Sequence, residues 1–429
     1  KVILESIPRD KETARFSILA YNPVFEIKFE NGILYQNGQV IDRDSLDFLY
    51  EVTHKSQHHS DLPFGGGAIG FVGYDMISLY EEIGQIPEDT IGTPDMHFFV
   101  YESYMVFDHK KDKVYILEEA LYSNRSEAEL AASLERIMTE LAQPAGAEFS
   151  PLELSSLNFQ SHIEQTAFEK MVEEARSLIR QGDMFQCVLS QRFSAEYSGR
   201  PLDYYRNLRV TNPSNYLYFY DFGDYQIIGA SPESLVSVKQ GQVTTNPIAG
   251  TRPRGQDERE DKSLAEELLA DEKEVAEHRM LVDLGRNDIG KIAQNNSVEV
   301  TKYMEVEYFR YVMHLTSVVR GQLLPQLTAM DALKSTLPAG TVSGAPKIRA
   351  MKRIYELEQE KRGVYAGAIG YLSATGDMDF AIAIRTMILK NGRAYVQAGA
   401  GIVYDSIPAN EYQETINKGK SMTKIGEMQ

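Results

Sequence analysis

The sequence predicts an α+β fold, and three observations carry that expectation. Segments with period-two alternation crowd the first third of the chain. Strands and amphipathic helices are mixed through the remainder without the regular βαβ alternation of a doubly wound sheet. Hydrophobic residues make up 43% of the 429 and charged residues 25%, which supports a sizeable core.

The elements follow in chain order. Phe25-Glu26-Ile27-Lys28-Phe29 alternates, Asn31-Gly32 makes a hairpin turn, and Ile33-Leu34-Tyr35 returns. Strands are expected over 101–108 and 114–117, and a helix over 126–141. Gln143-Pro144-Ala145-Gly146 opens a weakly apolar stretch, read as a linker. The chain thus divides into an N-terminal β-rich domain, 1–142, a linker, 143–161, and a C-terminal domain, 162–429. In the latter, 166–180 is an amphipathic helix ended by Gly182. Residues 185–193 form a strand with Phe185, Cys187, Leu189 and Phe193 on one face. Residues 216–222 and 225–228 make a hairpin about Gly223-Asp224. A single long helical region covers 264–293, a helix with Pro346 in its first turn covers 346–358, and strands cover 380–389 and 395–404.

Composition narrows the function. Asp plus Glu number 62 against 44 Lys plus Arg, a formal charge of −18, so nucleic acid and anionic membranes are poor partners. An anionic substrate would need local groups that override this field. No apolar run is long enough to span a bilayer and no signal peptide is read. The first residue is Lys1 rather than Met, so a few residues are expected upstream. The single cysteine, Cys187, fits a cytoplasmic location. The chain has 25 Tyr and 18 Phe but no Trp.

Several motifs have bland readings. Gly65, Gly67 and Gly70 satisfy G-x-G-x-x-G but lack a flanking strand and helix, and read as a close-packed Gly-rich strand. His54, His58 and His59 lack further ligands at zinc spacing and read as a surface cluster. Cys187 lies on an apolar strand face with nothing to activate it.

Other motifs suggest chemistry. Glu274 and Glu277 are three apart, as are Glu411 and Glu414, so each pair shares a helix face. Four carboxylates without Cys or His partners suit a hard cation such as Mg²⁺. The loop Asn246-Pro247-Ile248-Ala249-Gly250-Thr251-Arg252-Pro253-Arg254-Gly255 offers backbone N–H groups, a hydroxyl and two guanidiniums. Leu337-Pro338-Ala339-Gly340-Thr341-Val342-Ser343-Gly344-Ala345-Pro346-Lys347 brings donors to a helix N-terminus, and Ala398-Gly399-Ala400-Gly401 permits close approach of a ligand. Together they describe a pocket for a polyanion with a metal.

At these residues the sequence resembles the chorismate-utilising enzymes, and within them the anthranilate synthase branch. The resemblance spans essentially the whole chain. It rests on Gly182-Asp183-Met184-Phe185-Gln186, Ser231-Pro232-Glu233, the Pro247 to Thr251 loop, Glu274 to Asp288, His314-Leu315, the Thr341 loop, Arg362-Gly363-Val364-Tyr365-Ala366-Gly367, Ile384-Arg385-Thr386, and Gly399 to Lys418. It implies a β-sandwich-like core of mostly antiparallel sheets flanked by helices. It also implies a carbon–oxygen lyase that converts chorismate and ammonia into anthranilate and pyruvate. Glu274, Glu277, Glu411 and Glu414 would hold Mg²⁺. Tyr365, Arg385 and the backbone of Gly399, Ala400 and Gly401 would bind the enolpyruvyl carboxylate. Gly250 and Thr251 would touch the ring, Glu233 would be the acid, His314 would serve the elimination, and Thr341 and Lys418 would complete the site. Gln186 stands where water-using relatives carry a Lys, and Ala249 where the aminodeoxychorismate synthases commonly carry one.

Ile3-Leu4-Glu5-Ser6 followed by Arg15-Phe16-Ser17 resembles the family's tryptophan feedback motif, with Asn215, Tyr216 and Leu217 as its partner segment. Asn215 and Leu217 replace the usual Pro and Met, so inhibition of altered strength is expected. Without an activated cysteine, the resemblance implies a partner glutamine amidotransferase subunit and a hetero-oligomer. Two alternatives stay open: an aminodeoxychorismate synthase, and a catalytically silent tryptophan sensor.

Overall fold

The computed structural model describes residues 1–6, 15–57, 61–143, 157–308 and 312–424. The described strands form two large sheets whose pairings are antiparallel. The first sheet runs Gln160–Ser161, Gln186–Glu196, Arg393–Ile402, Thr386–Lys390, Tyr225–Ser231, Tyr216–Asp221, Val2–Glu5, Phe16–Ala20, Ser103–Asp108, Lys113–Glu118. The second runs Ile248–Pro253, Val312–Gln322, Gln242–Thr245, Ser234–Lys239, Met378–Ile382, Ala368–Ser373, Gly67–Val72, Met96–Tyr101, Phe25–Glu30, Ile33–Gln36, Gln39–Ile41. Val2, Ile18, Tyr104 and Tyr220 of the first sheet pack on Ile69, Phe71, Ile369 and Ala381 of the second, the face-to-face core of a sandwich.

Both sheets take strands from both sides of the expected linker. The segments 1–142 and 162–429 therefore share their cores rather than forming two independent ones. Most of the linker, 144–156, lies outside the described residues.

Three expected elements are divided. The 101–108 strand is two strands in different sheets: Tyr101 pairs with Gly67, whereas Ser103 pairs with Glu118. Buried Glu102 makes the crossing and accepts the N–H groups of Tyr122 and Ser123 at 2.8 and 3.1 Å. The 264–293 helical region is Glu258–Ala270 and Glu272–Gly290, broken at Asp271, whose carboxylate caps the second helix. The 380–389 strand is Met378–Ile382 in one sheet and Thr386–Lys390 in the other, with Arg385 turning between them at φ +48°.

Phe185 departs from its expected inward face. The strand starts at Gln186, and Phe185 is 71% exposed. Cys187 and Leu189 are buried as expected. The Asn31-Gly32 turn has both residues at positive φ, as a type I′ hairpin requires. Pro346 is the N-cap of Lys347–Leu357 rather than a residue of its first turn. Among the described residues no helix is long and apolar enough to cross a membrane.

Candidate active site

The floor of the site is an open strand edge. Arg393–Ile402 pairs with Gln186–Glu196 along its whole length, setting Gly399 opposite Ser190 and Gly401 opposite Val188. On its other side Thr386–Lys390 reaches only as far as Val396. Beyond Val396, no described strand pairs on that side. Two glycines keep this stretch flat. A Cβ at Gly399 would stand 2.8 Å from Tyr365 Oη, and one at Gly401 would stand 2.8 Å from Gln186 Nε2.

Arg385 precedes Thr386–Lys390 and therefore borders this open edge. Its residue surface is exposed, yet burial by surrounding protein lowers its pKa, with Glu233 opposing. A group that water reaches while protein rings it lines a cleft. Among the described residues nothing hydrogen-bonds to the guanidinium, which leaves a planar fork of donors for an anion. Tyr365 is held nearby by Arg362, whose guanidinium lies 5.6 Å from the Tyr365 ring. Arg362 also donates to Val188 and Val342 carbonyls at 2.7 and 2.6 Å.

Glu233 lies in the turn between Tyr225–Ser231 and Ser234–Lys239. Its carbonyl accepts Ile382 N–H at 3.0 Å, and Thr341 Oγ1 donates to Glu233 Oε2 at 3.0 Å. Burial raises the Glu233 pKa, while Thr341, Arg385 and Lys418 oppose the rise. The result is a carboxyl that keeps its proton to higher pH than an exposed glutamate.

Gly250 and Thr251 sit where the register between Ile248–Pro253 and Val312–Gln322 shifts, with Gly250 at φ +68°. The bulge aims the Gly250 carbonyl at His314 Nδ1, 2.8 Å away. Thr251 Oγ1 lies 3.1 Å from the same nitrogen. A carbonyl only accepts, so the proton is assigned to Nδ1 and the lone pair to Nε2. Burial lowers the His314 pKa, so the ring is neutral near pH 7.

The four glutamates stand in two pairs. Burial and then Glu277 raise the Glu274 pKa. Burial raises that of Glu411 and Glu414 adds to it, with Lys273 and Lys418 opposing. Lys273, at the start of Glu272–Gly290, is near enough to favour the charged form of Glu411 in Pro408–Thr423. Glu277 accepts Gln186 Nε2 at 3.0 Å. Glu414 pairs with Lys418 at 2.7 Å, and Lys418 donates to the Gly399 carbonyl at 3.0 Å. A Cβ at Gly250 would come within 3.3 Å of Glu274 Oε2, so the Gly250 bulge abuts this end. Among the described residues no three such side chains come close enough to hold one ion. The all-oxygen donor set and the like-charge crowding within each pair fit a hard divalent cation.

The remaining signals fall outside the site. Burial pushes the Cys187 thiol up to about 12, so it is no nucleophile. Gly67–Val72 is a buried strand followed by the 3₁₀ turn Tyr74–Leu79, which excludes the dinucleotide reading. His54 stacks on Tyr50, and His58 and His59 lie outside the described residues. Lys347, at the helix N-terminus expected to hold an anion, is buried against Asp288 at 2.6 Å.

The expected regulatory segments meet. Glu5 is the register partner of Leu217 on one side and Ser17 on the other. Its carboxylate accepts Tyr205 Oη at 2.5 Å and Arg209 Nε at 2.8 Å. Leu217 is buried, and Tyr216 Oη donates to Asp379 at 3.1 Å. Ser6 and Asn215 flank these residues in the chain. Tyr205, Arg209 and the Gln186–Glu277 contact were absent from the expected site. Gln186 carried a signal as the last residue of the Gly182-Asp183-Met184-Phe185-Gln186 motif and as the position where water-using relatives carry a Lys. Tyr205 and Arg209 sit on an ordinary amphipathic helix and carried none.

The family model of chorismate binding enzymes matches residues 5–424. The chain is 56% identical to "Anthranilate synthase component 1" of Lactococcus lactis subsp. lactis, covering 100% of this chain and 94% of that protein. It is 44% identical to the protein of that name from Acetivibrio thermocellus, covering 98% and 89%. The crystal structure of anthranilate synthase component I from Streptococcus pneumoniae superposes with a TM-score of 0.92 at 80% identity, covering 99% of this chain and 94% of that one. The chain belongs to the chorismate binding enzymes, among the anthranilate synthase component 1 proteins.

Proposed function

We propose that this chain makes anthranilate from chorismate and ammonia, releasing pyruvate and water. The observation that carries the reading is the Arg385 guanidinium, without a hydrogen-bonded partner among the described residues, bordering an open glycine-lined edge within electrostatic reach of the Glu233 carboxyl. It supplies a carboxylate fork and an acid in one cleft.

Arg385, Tyr365 and the backbone at Gly399 to Gly401 hold the enolpyruvyl carboxylate. Glu274, Glu277, Glu411 and Glu414 would hold Mg²⁺, whose chemistry when bound is to neutralise the ring carboxylate and draw electron density from the ring. Ammonia forms the C2–N bond. The C4–O bond breaks, and Glu233 gives its proton to the hydroxyl, which leaves as water. Thr341 keeps Glu233 aimed at that oxygen. His314 then takes the C2 proton on Nε2 as the enolpyruvyl C–O bond breaks, the departing enolate takes up a proton to become pyruvate, and the ring becomes aromatic. Gln186 offers no amine to take a proton from water, which favours nitrogen as the nucleophile. The inert Cys187 supports a separate glutaminase subunit as the ammonia source in the cytoplasm, and the Glu5–Leu217 junction supports tryptophan as feedback inhibitor.

The test is the isolated chain with chorismate, Mg²⁺ and an ammonium salt. Anthranilate fluorescence with equimolar pyruvate is expected. Neither product would refute the reading, and aminated chorismate without pyruvate would move the chain to the folate-precursor branch.

A further inference from the structure

A cavity of about 60 Å³ lies against the turn that carries Thr341. Its wall includes Glu233, Thr341, Thr245, Gly285 and Asp288. It is therefore shared between the proposed acid and the interior of the Glu272–Gly290 helix. Among the described residues, Thr245 Oγ1 and Asp288 Oδ1 are buried without a hydrogen-bond partner. The second carboxylate oxygen of Asp288 accepts Lys347 Nζ at 2.6 Å. The half-exposed Lys291 ammonium lies 3.8 Å from Oδ1, so the Asp288 end lies close to solvent. A buried water needs about 10–15 Å³ of such space and two to four polar partners. The cavity exceeds the volume condition several times over, and Thr245, Asp288, Glu233 and Thr341 meet the polar-partner condition.

The reaction gives this cavity a task. Glu233 loses its proton at every turnover, and bound substrate covers its cleft side. We propose that the cavity holds a chain of waters, anchored on Thr245 Oγ1 and Asp288 Oδ1, that returns a proton to Glu233 after each turnover. The proposal rests on the reading of Glu233 as the acid for the C4 hydroxyl. The Glu233 O–H bond breaks as the hydroxyl departs with the C–O electron pair. The carboxylate then takes a proton from the adjacent water, and successive O–H transfers draw the replacement from solvent near Lys291. The added nitrogen gives a proton back to solvent, so the relay makes no net demand. Thr245 and Asp288 are positioning residues that act through water on Glu233.

Three variants and one structure test this. Thr245→Val keeps the volume and removes the hydroxyl, and Thr245→Ser keeps the hydroxyl. Gly285→Ala places a methyl 3.2 Å from Thr245 Oγ1 and 3.6 Å from Pro247, narrowing the cavity at a helical site where Ala is favoured. Turnover with ammonium and chorismate is measured in H₂O and D₂O, alongside a high-resolution crystal structure of the whole chain. Ordered waters on Thr245 and Asp288 are expected. Thr245→Val should lower kcat by about threefold or more, well short of the about 10²–10⁴-fold that loss of the acid itself costs, because the acid stays and only its reprotonation slows. Its KM for chorismate should hold and its solvent isotope effect on kcat should rise. Thr245→Ser should restore both, and Gly285→Ala should slow turnover without lowering Tm. A dry cavity overturns the relay, as does wild-type kcat and isotope effect in both Thr245→Val and Gly285→Ala. If Thr245→Val does not fold, Gly285→Ala decides. A wild-type chain that makes no anthranilate overturns the acid assignment instead, a failure distinct from a dry cavity in an active enzyme.

Discussion

Gly399→Ala puts the open-edge reading at risk. The added methyl would lie 2.8 Å from Tyr365 Oη, 3.0 Å from the Leu189 carbonyl oxygen and 3.1 Å from Val188 Cγ1. Ordinary contacts lie near 3.5 Å, so relief needs a shift of roughly half an ångström. Leu189 and Val188 belong to the paired strand Gln186–Glu196 and cannot retreat without disturbing the ladder. Tyr365 is wedged by Arg362. Overpacking of this kind costs about 1–3 kcal/mol, a few degrees in Tm. Displacing Tyr365 and the edge by that amount should lower kcat/KM for chorismate at least about tenfold, since a 1 Å misplacement costs about a hundredfold. Gly182→Ala is the control. Gly182 is at φ +79° with nothing within 4 Å of an added Cβ, so it carries backbone strain of about 1 kcal/mol without a steric push at the site. Ammonia-dependent turnover and melting curves of both variants are compared. If Gly399→Ala loses no more activity than Gly182→Ala, the edge does not bind substrate and the reasoning fails.

Four further outcomes are expected. Glu233→Gln should lower kcat about 10²–10⁴-fold; because the Glu233 pKa is raised, wild-type activity should persist below it and fall as pH rises through it, and a Gln variant that keeps this alkaline limb would exclude Glu233 as its source. His314→Met should slow aromatisation more than amination, so chromatography should find an aminated, non-aromatic species; residual turnover that yields anthranilate alone contradicts the role. Glu277→Ala should abolish Mg²⁺-dependent turnover, and retained activity that still responds to a chelator refutes this ligand. With no Trp in the chain, all indole fluorescence comes from added tryptophan; its anisotropy should rise saturably, Ser6→Ala should weaken that rise, and no rise at millimolar ligand counts against the regulatory site.

The residues alone showed the acidic pairs, the glycine loops and most element positions, because alternation and helix periodicity report burial directly. They did not show where the chain changes sheets. The stretch from Phe380 to Leu389 is nearly continuous in apolar residues, and the break is a positive φ at Arg385, a conformation that an arginine does not announce. Glu102 is similar: its buried crossing depends on N–H groups twenty residues ahead. The division at Asp271 was legible in principle, since Asp271 precedes Glu274 at N-cap spacing. The roles of Glu233, His314 and Arg385 came from the resemblance. Their juxtaposition depends on four strand ends that no local pattern connects.

The sharing of both sheets across the sequence also sets the order in which the protein can be finished. Arg393–Ile402 lies between Gln186–Glu196 and Thr386–Lys390, and Ala368–Ser373 with Met378–Ile382 lies between Gly67–Val72 and Ser234–Lys239. The latest of the described strands in chain order are thus interior strands of each sheet. Until residue 402 has emerged, earlier strands present hydrogen-bonding edges that only the end of the same chain can cover. A chain truncated before residue 402 should yield aggregate rather than a smaller folded enzyme, and chaperone demand should last until the strand Arg393–Ile402 has emerged.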